Sequence, residues 1–192
     1  FNQDISGWDV SSVMNMANMF QGASALSDLN KCAIHTAFSS NANWTYDWDE
    51  FCAAYTYVPD NNFEQALVDL GYDDVLNDFV LTDNINSVTS LDVGAKDISD
   101  LTGIEDFTAL TELLCYDNQL TSLDVSANIA LTDLRCGSNQ LTSLDLSTNT
   151  GLSFLSCAYN DLTVLDVSNN TALININCSG NELTALDVSN NT

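Results

Sequence analysis

Basic side chains are almost absent from this chain of 192 residues. Three Lys and Arg residues stand against 27 Asp and Glu residues, which gives a net charge of −24 at pH 7. Because phosphate recognition needs several Lys or Arg side chains to displace counterions, this composition argues against nucleic acid and against an anionic membrane surface as partners. Cations, neutral glycans and polar protein surfaces stay compatible with the charge, which also favours solubility in a salty medium.

Long apolar runs and histidine are scarce as well. No stretch approaches 18 consecutive apolar residues, so the sequence predicts no direct insertion into a membrane. The single histidine, His35, has no Ser or Cys nucleophile placed beside it by a motif, and no glycine-rich phosphate loop is present. Pairs of carboxylates arise by chance among 27 acidic residues and carry no information about glycoside hydrolysis. We therefore expect a protein that is not an enzyme.

What the sequence does contain is a repeat of 21 residues. Each unit reads L-x-x-[LI]-x-C-x-x-N-x-L and continues T-x-L-D-[VL]-S-x-N. Three series share the spacing: Cys115, Cys136, Cys157 and Cys178; Asn118, Asn139, Asn160 and Asn181; Asp124, Asp145, Asp166 and Asp187. Alternating apolar positions in both halves predict two short extended segments per coil, with turns at each Asn. One coil cannot bury its apolar face alone, so a solenoid of stacked coils is expected.

This pattern resembles the leucine-rich-repeat family, and specifically its bacterial 21-residue class with a nested L-x-x-L-x-L-x-x-N motif, over residues 88–192. The unit that starts at Val88 has 22 residues and resembles the internalin type of repeat, with a helical turn on its outer side. Lys96 stands there in place of the usual Asn, so we expect the Asn series to begin one coil later. The resemblance implies a leucine-rich-repeat solenoid of short parallel β-strands in coils of about 21 residues, with few helices.

A helical cap is predicted before the repeats, in residues 59–87. A helix over residues 60–71 has Asp60 or Asn61 as its cap and Gly71 as its stop signal. Its predicted apolar face and the segment after it are placed to cover the open end of the solenoid, through Phe63, Leu67, Leu70, Val75, Leu76 and Phe79.

Residues 1–58 form a different segment, rich in Trp, Met and Phe. Phe1-Asn-Gln-Asp-Ile-Ser-Gly-Trp8, with Val10, Val13, Met16, Met19 and Phe20 after it, resembles one unit of the BspA-like surface-protein repeat. That resemblance implies tandem copies on a bacterial surface or secreted protein. A helix is predicted over residues 27–38, capped by Ser27, with an inward face of Leu29, Cys32, Ala33 and Ala37. Cys32 and Cys52, the pair outside the repeats, are expected to form a disulfide, with two free buried thiols as the alternative.

The polar and sulfur series of the repeat have structural explanations. Four thiols on coils about 4.8 Å apart span about 14 Å and cannot converge on one zinc ion, so the cysteines are predicted to pack in the core. The Asn series can satisfy backbone groups that the turns leave unpaired. Asp124, Asp145, Asp166 and Asp187 either accept hydrogen bonds from neighbouring Ser and Thr or hold bridging Ca²⁺, although no D-x-D-x-D-G loop is present.

The outward positions of the first strand differ from coil to coil, whereas those of the second half repeat as Thr, Asp and Ser. A varied surface suits recognition of an irregular partner, and the leucine-rich-repeat resemblance implies that this strand lines the concave face. The predicted binding residues are Glu112, Leu114, Tyr116, Asp133, Arg135, Phe154, Ser156, Asn175 and Asn177. Drift on an unused surface is the alternative explanation.

We therefore expect a fragment of a secreted, acidic bacterial protein that acts in adhesion or binding outside the cell, with a protein or glycan as partner. Two other functions stay open. The chain could be a structural spacer or fibre segment with no ligand of its own, or an accessory module of a secreted hydrolase. The ligand, the oligomeric state and the anchoring of the parent protein cannot be derived from these residues.

Overall fold

The computed structural model describes residues 1–52 and 54–191. The chain forms two compact units, Phe1–Thr56 and Tyr57–Thr192. Within the described residues the longest helix has 11 residues, and none combines the length and apolar character that crossing a bilayer requires.

The first unit contains two helices, α1 (Asp28–Phe38) and α2 (Asp49–Cys52), and the start of the short strand β1 (Tyr55–Tyr57). Helix α1 begins where predicted, because the Ser27 hydroxyl accepts a hydrogen bond from the Asn30 backbone N–H at 3.3 Å. Its predicted inward face is partly wrong. Ala37 is exposed, and the buried positions are Cys32, Ala33, Ile34 and Phe38. The helix turns its Ile34 and Phe38 side toward the aromatic core of this unit.

Phe20 is the centre of that aromatic core. Its ring centroid lies 6.1 Å from that of Trp44, 5.4 Å from Tyr46 and 5.0 Å from Trp48. The Tyr46 hydroxyl also accepts a hydrogen bond from the Phe20 backbone N–H at 2.8 Å. This bond connects the aromatic segment 44–48 to the turns that precede α1. Aromatic packing of this kind supplies the apolar area that a unit of under 60 residues otherwise lacks.

His35 is a packed residue of this unit. Its Nδ1 accepts a hydrogen bond from Trp44 Nε1 at 3.0 Å, and its Nε2 lies 2.7 Å from Asp49 Oδ1. Both ring nitrogens are therefore engaged within the fold.

The predicted disulfide between Cys32 and Cys52 is confirmed, and it joins α1 to α2. Replacing both cysteines with serine should lower the free energy of unfolding of the first unit by about 3 kcal/mol, since the crosslink restricts the unfolded chain. All three tryptophans, Trp8, Trp44 and Trp48, lie in this unit. Denaturant unfolding followed by Trp fluorescence, with and without reductant, measures the effect directly.

The control for this prediction is the circular-dichroism transition of the second unit, which contains no disulfide in its described residues. That transition should not move in the double variant. An unchanged fluorescence midpoint would contradict the stabilising role of the crosslink.

The second unit is a solenoid. Helix α3 (Asn61–Asp69), strand β2 (Phe79–Leu81) and helix α4 (Thr82–Ile85) precede five parallel strands, with a 3₁₀ turn at Ile104–Asp106 after the first of them. The five strands are β3 (Ser90–Asp92), β4 (Glu112–Leu114), β5 (Asp133–Arg135), β6 (Phe154–Ser156) and β7 (Asn175–Asn177), and they pair in chain order. Their middle residues are in register and point into the core: Leu91, Leu113, Leu134, Leu155 and Ile176.

The second half of each coil differs from the prediction of two extended segments. Within the described residues it contains no strand, and the backbone hydrogen bonds that join it to a neighbouring coil are isolated ones, such as Gln140 N–H to Leu120 C=O at 2.9 Å. The reason is local. The Ser147 backbone N–H donates to the carboxylate of Asp145 at 2.9 Å, and the equivalent bond recurs in neighbouring coils. Backbone donors that bond to side chains of their own coil cannot join a ladder between coils.

Helix α3 covers the first coil. Asp60 caps it through one carboxylate oxygen, which accepts from the backbone N–H groups of Asn62 and Phe63, and its other oxygen accepts from Ser99. Gly71, at φ 80°, ends it in the left-handed conformation that glycine favours. Phe63 and Leu67 are fully buried as predicted, with Phe63 6.4 Å from the Phe107 ring.

Three other predicted cap contacts are wrong. Leu70, Val75 and Leu76 are each close to half exposed, at 45–49%. Ala66 and Val80 take the buried positions instead, together with the predicted Phe79. Leu70 is the C-cap residue, where the chain has already begun to leave the helix, so the helical spacing no longer determines which way it faces.

Glu64 of α3 is a buried carboxylate. Its Oε1 accepts from the Asn77 backbone N–H at 2.7 Å, whereas Oε2 has no hydrogen-bond partner within the described part of the chain. Burial, with Asp78 and Asp73 nearby, raises the pKa of Glu64 despite the hydrogen bonds from Asn77 and Asp78. A carboxyl group whose pKa is raised by folding stabilises the fold when protonated, and this contribution is lost as the pH rises through the folded-state pKa.

Glu64→Gln should therefore gain stability relative to the wild type as the pH rises from about 4 to 7. Thermal unfolding at a series of pH values measures this, with Glu182→Gln at an exposed position as the matched control. A difference between variant and wild type that does not change with pH would contradict the inference.

Candidate binding face

The outward residues of the strands form two rows, which together with Tyr116 we call the strand face. One row is Glu112, Asp133, Phe154 and Asn175, and the other is Leu114, Arg135, Ser156 and Asn177. The residues on β4 to β6 are half-buried, and Asn175 and Asn177 are exposed. The register thus aligns eight of the nine predicted residues, and the ninth, Tyr116, lies two residues after Leu114.

Arg135 is the centre of a small cluster on this face. Its Nε and Nη2 donate to the two carboxylate oxygens of Asp133 at 3.1 and 2.8 Å, and its guanidinium carbon lies 4.7 Å from the Phe154 ring centroid. The hydrogen bonds to Asp133 raise the pKa of Arg135. A guanidinium held in this way by a carboxylate and a ring is fixed in position before any partner arrives, which lowers the entropy that binding must overcome.

The turn that follows each strand contains a residue in the left-handed backbone conformation. Its φ lies between 54° and 68° at Ala95, Asp117, Ser138, Tyr159 and Gly180. Tyr159 at this position is 67% exposed and was not among the predicted binding residues. The available signal was its place directly before the Asn series, where the other coils have Asp117, Ser138 and Gly180, residue types common in turns.

The cysteine series lies in the core, as predicted. Cys115, Cys136 and Cys157 are buried at the position after the strand, and Cys178 on the last coil is partly exposed. Burial raises the pKa of the Cys115 and Cys157 thiols to about 12, so these groups stay protonated and unreactive at neutral pH.

The first Asn series is structural. Asn139 Oδ1 accepts from the Leu120 backbone N–H at 3.0 Å, and Nδ2 donates to the carbonyls of Cys115 and Cys136 at 3.0 and 3.1 Å. Asn118 begins the series by accepting from the backbone of Lys96, which confirms that it starts one coil after that lysine. A second series, Asn128, Asn149, Asn170 and Asn191, donates to backbone carbonyls of the preceding coil.

The aspartate series lies in one exposed row on the second half of the coils. Each carboxylate accepts from the backbone N–H of the serine two residues later, at 2.9 Å in all four coils. These hydrogen bonds lower the pKa of Asp124, Asp145, Asp166 and Asp187. These serine contacts agree with the first explanation of the aspartate series, in which neighbouring residues donate hydrogen bonds to the carboxylates.

Calcium binding at this row stays a prediction. Asp124 and Asp145 line one groove together with Ser122 and Ser143, while no group of three or more metal-binding side chains converges within residues 1–52 and 54–191. A site with two carboxylates should bind weakly. Calcium at about ten times its Kd would then stabilise the solenoid by about 1.4 kcal/mol relative to EDTA. Asp145→Asn should remove that gain, and equal melting temperatures of the wild type in the two buffers would contradict it.

Stacked parallel strands in coils of about 21 residues, with inward leucines and cysteines, define a leucine-rich-repeat solenoid. Internalin J of Listeria monocytogenes serotype 4b (strain F2365) is 43% identical to this chain over 72 residues, which is 38% of this chain and 8% of the relative.

Two solved structures share the solenoid. The functional domain of InlJ from Listeria monocytogenes, which includes a cysteine ladder, has a TM-score of 0.66 at 42% identity and covers 72% of this chain and 31% of that one. An internalin, InlF, from the same species has a TM-score of 0.59 at 22% identity and covers 71% of this chain and 48% of that one, a likeness of fold alone. The chain thus spans less than half the length of these relatives. They support a bacterial leucine-rich-repeat protein.

The first unit has its own match. Residues 1–53 match a family described as a Mycoplasma protein of unknown function, DUF285. The BspA-like assignment of this segment and the nested 21-residue class of the repeats stay predictions.

Proposed function

We propose that this chain is a non-catalytic binding or adhesion module, displayed outside a bacterial cell, that recognises a protein or glycan through the strand face. The observation that carries the proposal is the contrast within each coil. The strand face presents carboxylates, a guanidinium, an aromatic ring and amides in different combinations, while the second half of the coil repeats one Asp–Ser arrangement.

The Arg135 cluster is the best candidate for the centre of the contact. Binding energy in protein interfaces concentrates in a few fixed aromatic and Arg side chains that are surrounded by less important contacts. Arg135 and Phe154 have this chemistry and touch each other on adjacent strands. Asp133 is already paired with Arg135, so a partner would meet a nearly neutral cluster within a strongly acidic protein.

The test is binding of the purified chain to an array of glycans and extracellular proteins, in calcium and in EDTA. For any partner found, Arg135→Ala and Phe154→Ala should each weaken binding by about tenfold or more. Val164→Ala, an exposed residue on the second half of a coil, is the matched control. Binding that survives both strand-face substitutions would refute the assignment of the site.

A structural spacer is the second candidate. The observation in its favour is the uniform Asp–Ser row, which presents the same surface on four successive coils. A spacer requires no partner, so a blank array from a chain shown to be folded would favour it over the binding module.

A further inference from the structure

Tyr116 lies on a glycine of the neighbouring coil. A Cβ atom placed on Gly94 would be 2.6 Å from Tyr116 Cζ, 2.7 Å from Cε1 and 3.0 Å from Cε2. These three atoms form the phenolic end of the ring, so this end of the Tyr116 side chain covers the glycine. The backbone around Gly94 is fixed by hydrogen bonds from Val93 and Ala95 to carbonyls of the next coil. A side chain in place of Gly94 would force the Tyr116 ring to move from this position.

Tyr159 repeats this arrangement at the other end of the solenoid. A Cβ atom on Gly180 would lie 2.6 Å from Tyr159 Cδ1, 3.0 Å from Cε1 and 3.2 Å from Cγ. Tyr159 also has a φ of 56°, which is rare for a large residue. Other coils place Ala, Asp, Ser or Gly at the same turn. Two tyrosines, each matched to a glycine on an adjacent coil, form a pattern that packing of the core does not require.

Both rings keep a free side toward water. Tyr116 is 40% exposed and Tyr159 is 67% exposed, while the side of each ring that faces its glycine is covered. A ring supported by backbone loses little conformational freedom when a ligand stacks on it. Such a surface suits the flat C–H face of a pyranose sugar, which makes apolar contact with the ring while its hydroxyl groups stay hydrated.

The turn positions between the two tyrosines carry no other large side chain. Tyr116 covers the coil before its own and Tyr159 covers the coil after its own. The two rings are therefore about four coil steps of about 4.8 Å apart, which is about 19 Å. Gly137, Ser138, Asp117 and Ala158 lie on the intervening coils and present small or short side chains. A chain of several sugar units could therefore lie along this edge and touch both rings, with carboxylate and hydroxyl groups between them to accept and donate hydrogen bonds.

We propose that Tyr116 and Tyr159 form a stacking site for a neutral oligosaccharide chain on the turn edge of the solenoid. The net charge of −24 selects against sulfated and uronic sugars, whereas neutral hydroxyl groups can donate to the acidic surface. The site deepens the proposed binding function by naming one class of ligand. It shares Tyr116 with the strand face and adds Tyr159, which lies outside it.

The experiment is calorimetric titration of the whole chain with cellohexaose, xylohexaose, maltohexaose and chitohexaose, with a heparin hexasaccharide as the anionic comparison. At least one neutral hexasaccharide should bind with a Kd of about 1 mM or tighter, and heparin should not bind. Tyr116→Ala and Tyr159→Ala should each weaken binding by about tenfold. Tyr159→Phe keeps the ring face and should stay within about threefold of the wild type. Ile174→Ala, an exposed apolar residue, is the control.

Several results would overturn the proposal. One is the absence of binding by all four neutral sugars to a chain that calorimetry shows to be folded. Another is binding that Arg135→Ala or Phe154→Ala abolishes and Tyr159→Ala leaves intact, because the sugar would then lie on the strand face. Neither result affects a protein partner found on the array, so failure of the sugar site and failure of the binding function are distinguishable. Variants that unfold are identified by their melting curves, and Tyr159→Phe then decides whether the ring is the feature required.

Discussion

Asn139→Ala should lower the free energy of unfolding of the solenoid by about 3 kcal/mol. The substitution leaves the Leu120 backbone N–H without a partner inside the core. It also removes one of the two side-chain donors to each of the carbonyls of Cys115 and Cys136, which still accept from Asn118 and Asn160. A buried polar group left unpaired costs about 1–3 kcal/mol, each lost hydrogen bond costs about 0.5–1.5 kcal/mol, and the alanine also leaves a space that water cannot easily fill.

Thermal unfolding followed by far-ultraviolet circular dichroism measures this effect, since the tryptophans report only on the first unit. Asn169→Ala at an exposed position is the matched control and should change stability by less than about 0.5 kcal/mol. Asn149→Ala should fall between the two, because Asn149 only donates: its Oδ1 has no partner among the described residues. Equal stability of all three variants would refute the role assigned to the first Asn series.

Leu67→Ala should have an effect of similar size, about 2–5 kcal/mol, through a cavity between α3 and the first coil. Leu67 is fully buried, whereas Leu70 on the same helix is 45% exposed. The two positions carry the same residue type, so Leu70→Ala tests the same chemical change without the burial. We expect it to cost less than about 1 kcal/mol.

Calorimetry of both leucine variants distinguishes the structure from the sequence-based prediction, which placed Leu67 and Leu70 on one apolar face. If Leu70→Ala destabilised the protein as much as Leu67→Ala, the description of the end of α3 would be wrong. Leu67→Ala should also expose the first coil and increase binding of a hydrophobic dye below the main transition.

The repeat architecture could be predicted from the sequence because the same residue pattern recurs in each coil. The spacing of leucines, cysteines and asparagines determines the register, and the structure places them in the core, as expected from Leu134, Cys136 and Asn139. The helix caps Ser27 and Asp60 were predictable for a related reason, since a cap depends on side-chain contacts within a few residues.

Features that depend on contacts between distant residues could not be predicted. Val75 and Leu76 are apolar, but a loop of a solenoid cap can leave them exposed, and nothing local decides this. The position of the Tyr159 ring could not be predicted, because it depends on the contact with Gly180 on the following coil rather than on its own neighbours in sequence. The pairing of Arg135 with Asp133 follows from a spacing of two along one strand, yet its contact with Phe154 needs the register of the next strand.

The reaction rates of the cysteines in the core would report how often each coil of the solenoid opens locally. A thiol whose pKa is held near 12 by burial reacts with an alkylating reagent only during moments when its coil detaches and admits water. Since every coil from Cys115 to Cys178 carries a cysteine at the same position, the four labelling rates form a profile of fraying along the axis. Cys178, already partly exposed, should react first, and the interval before Cys157 follows would measure how strongly one coil depends on the next.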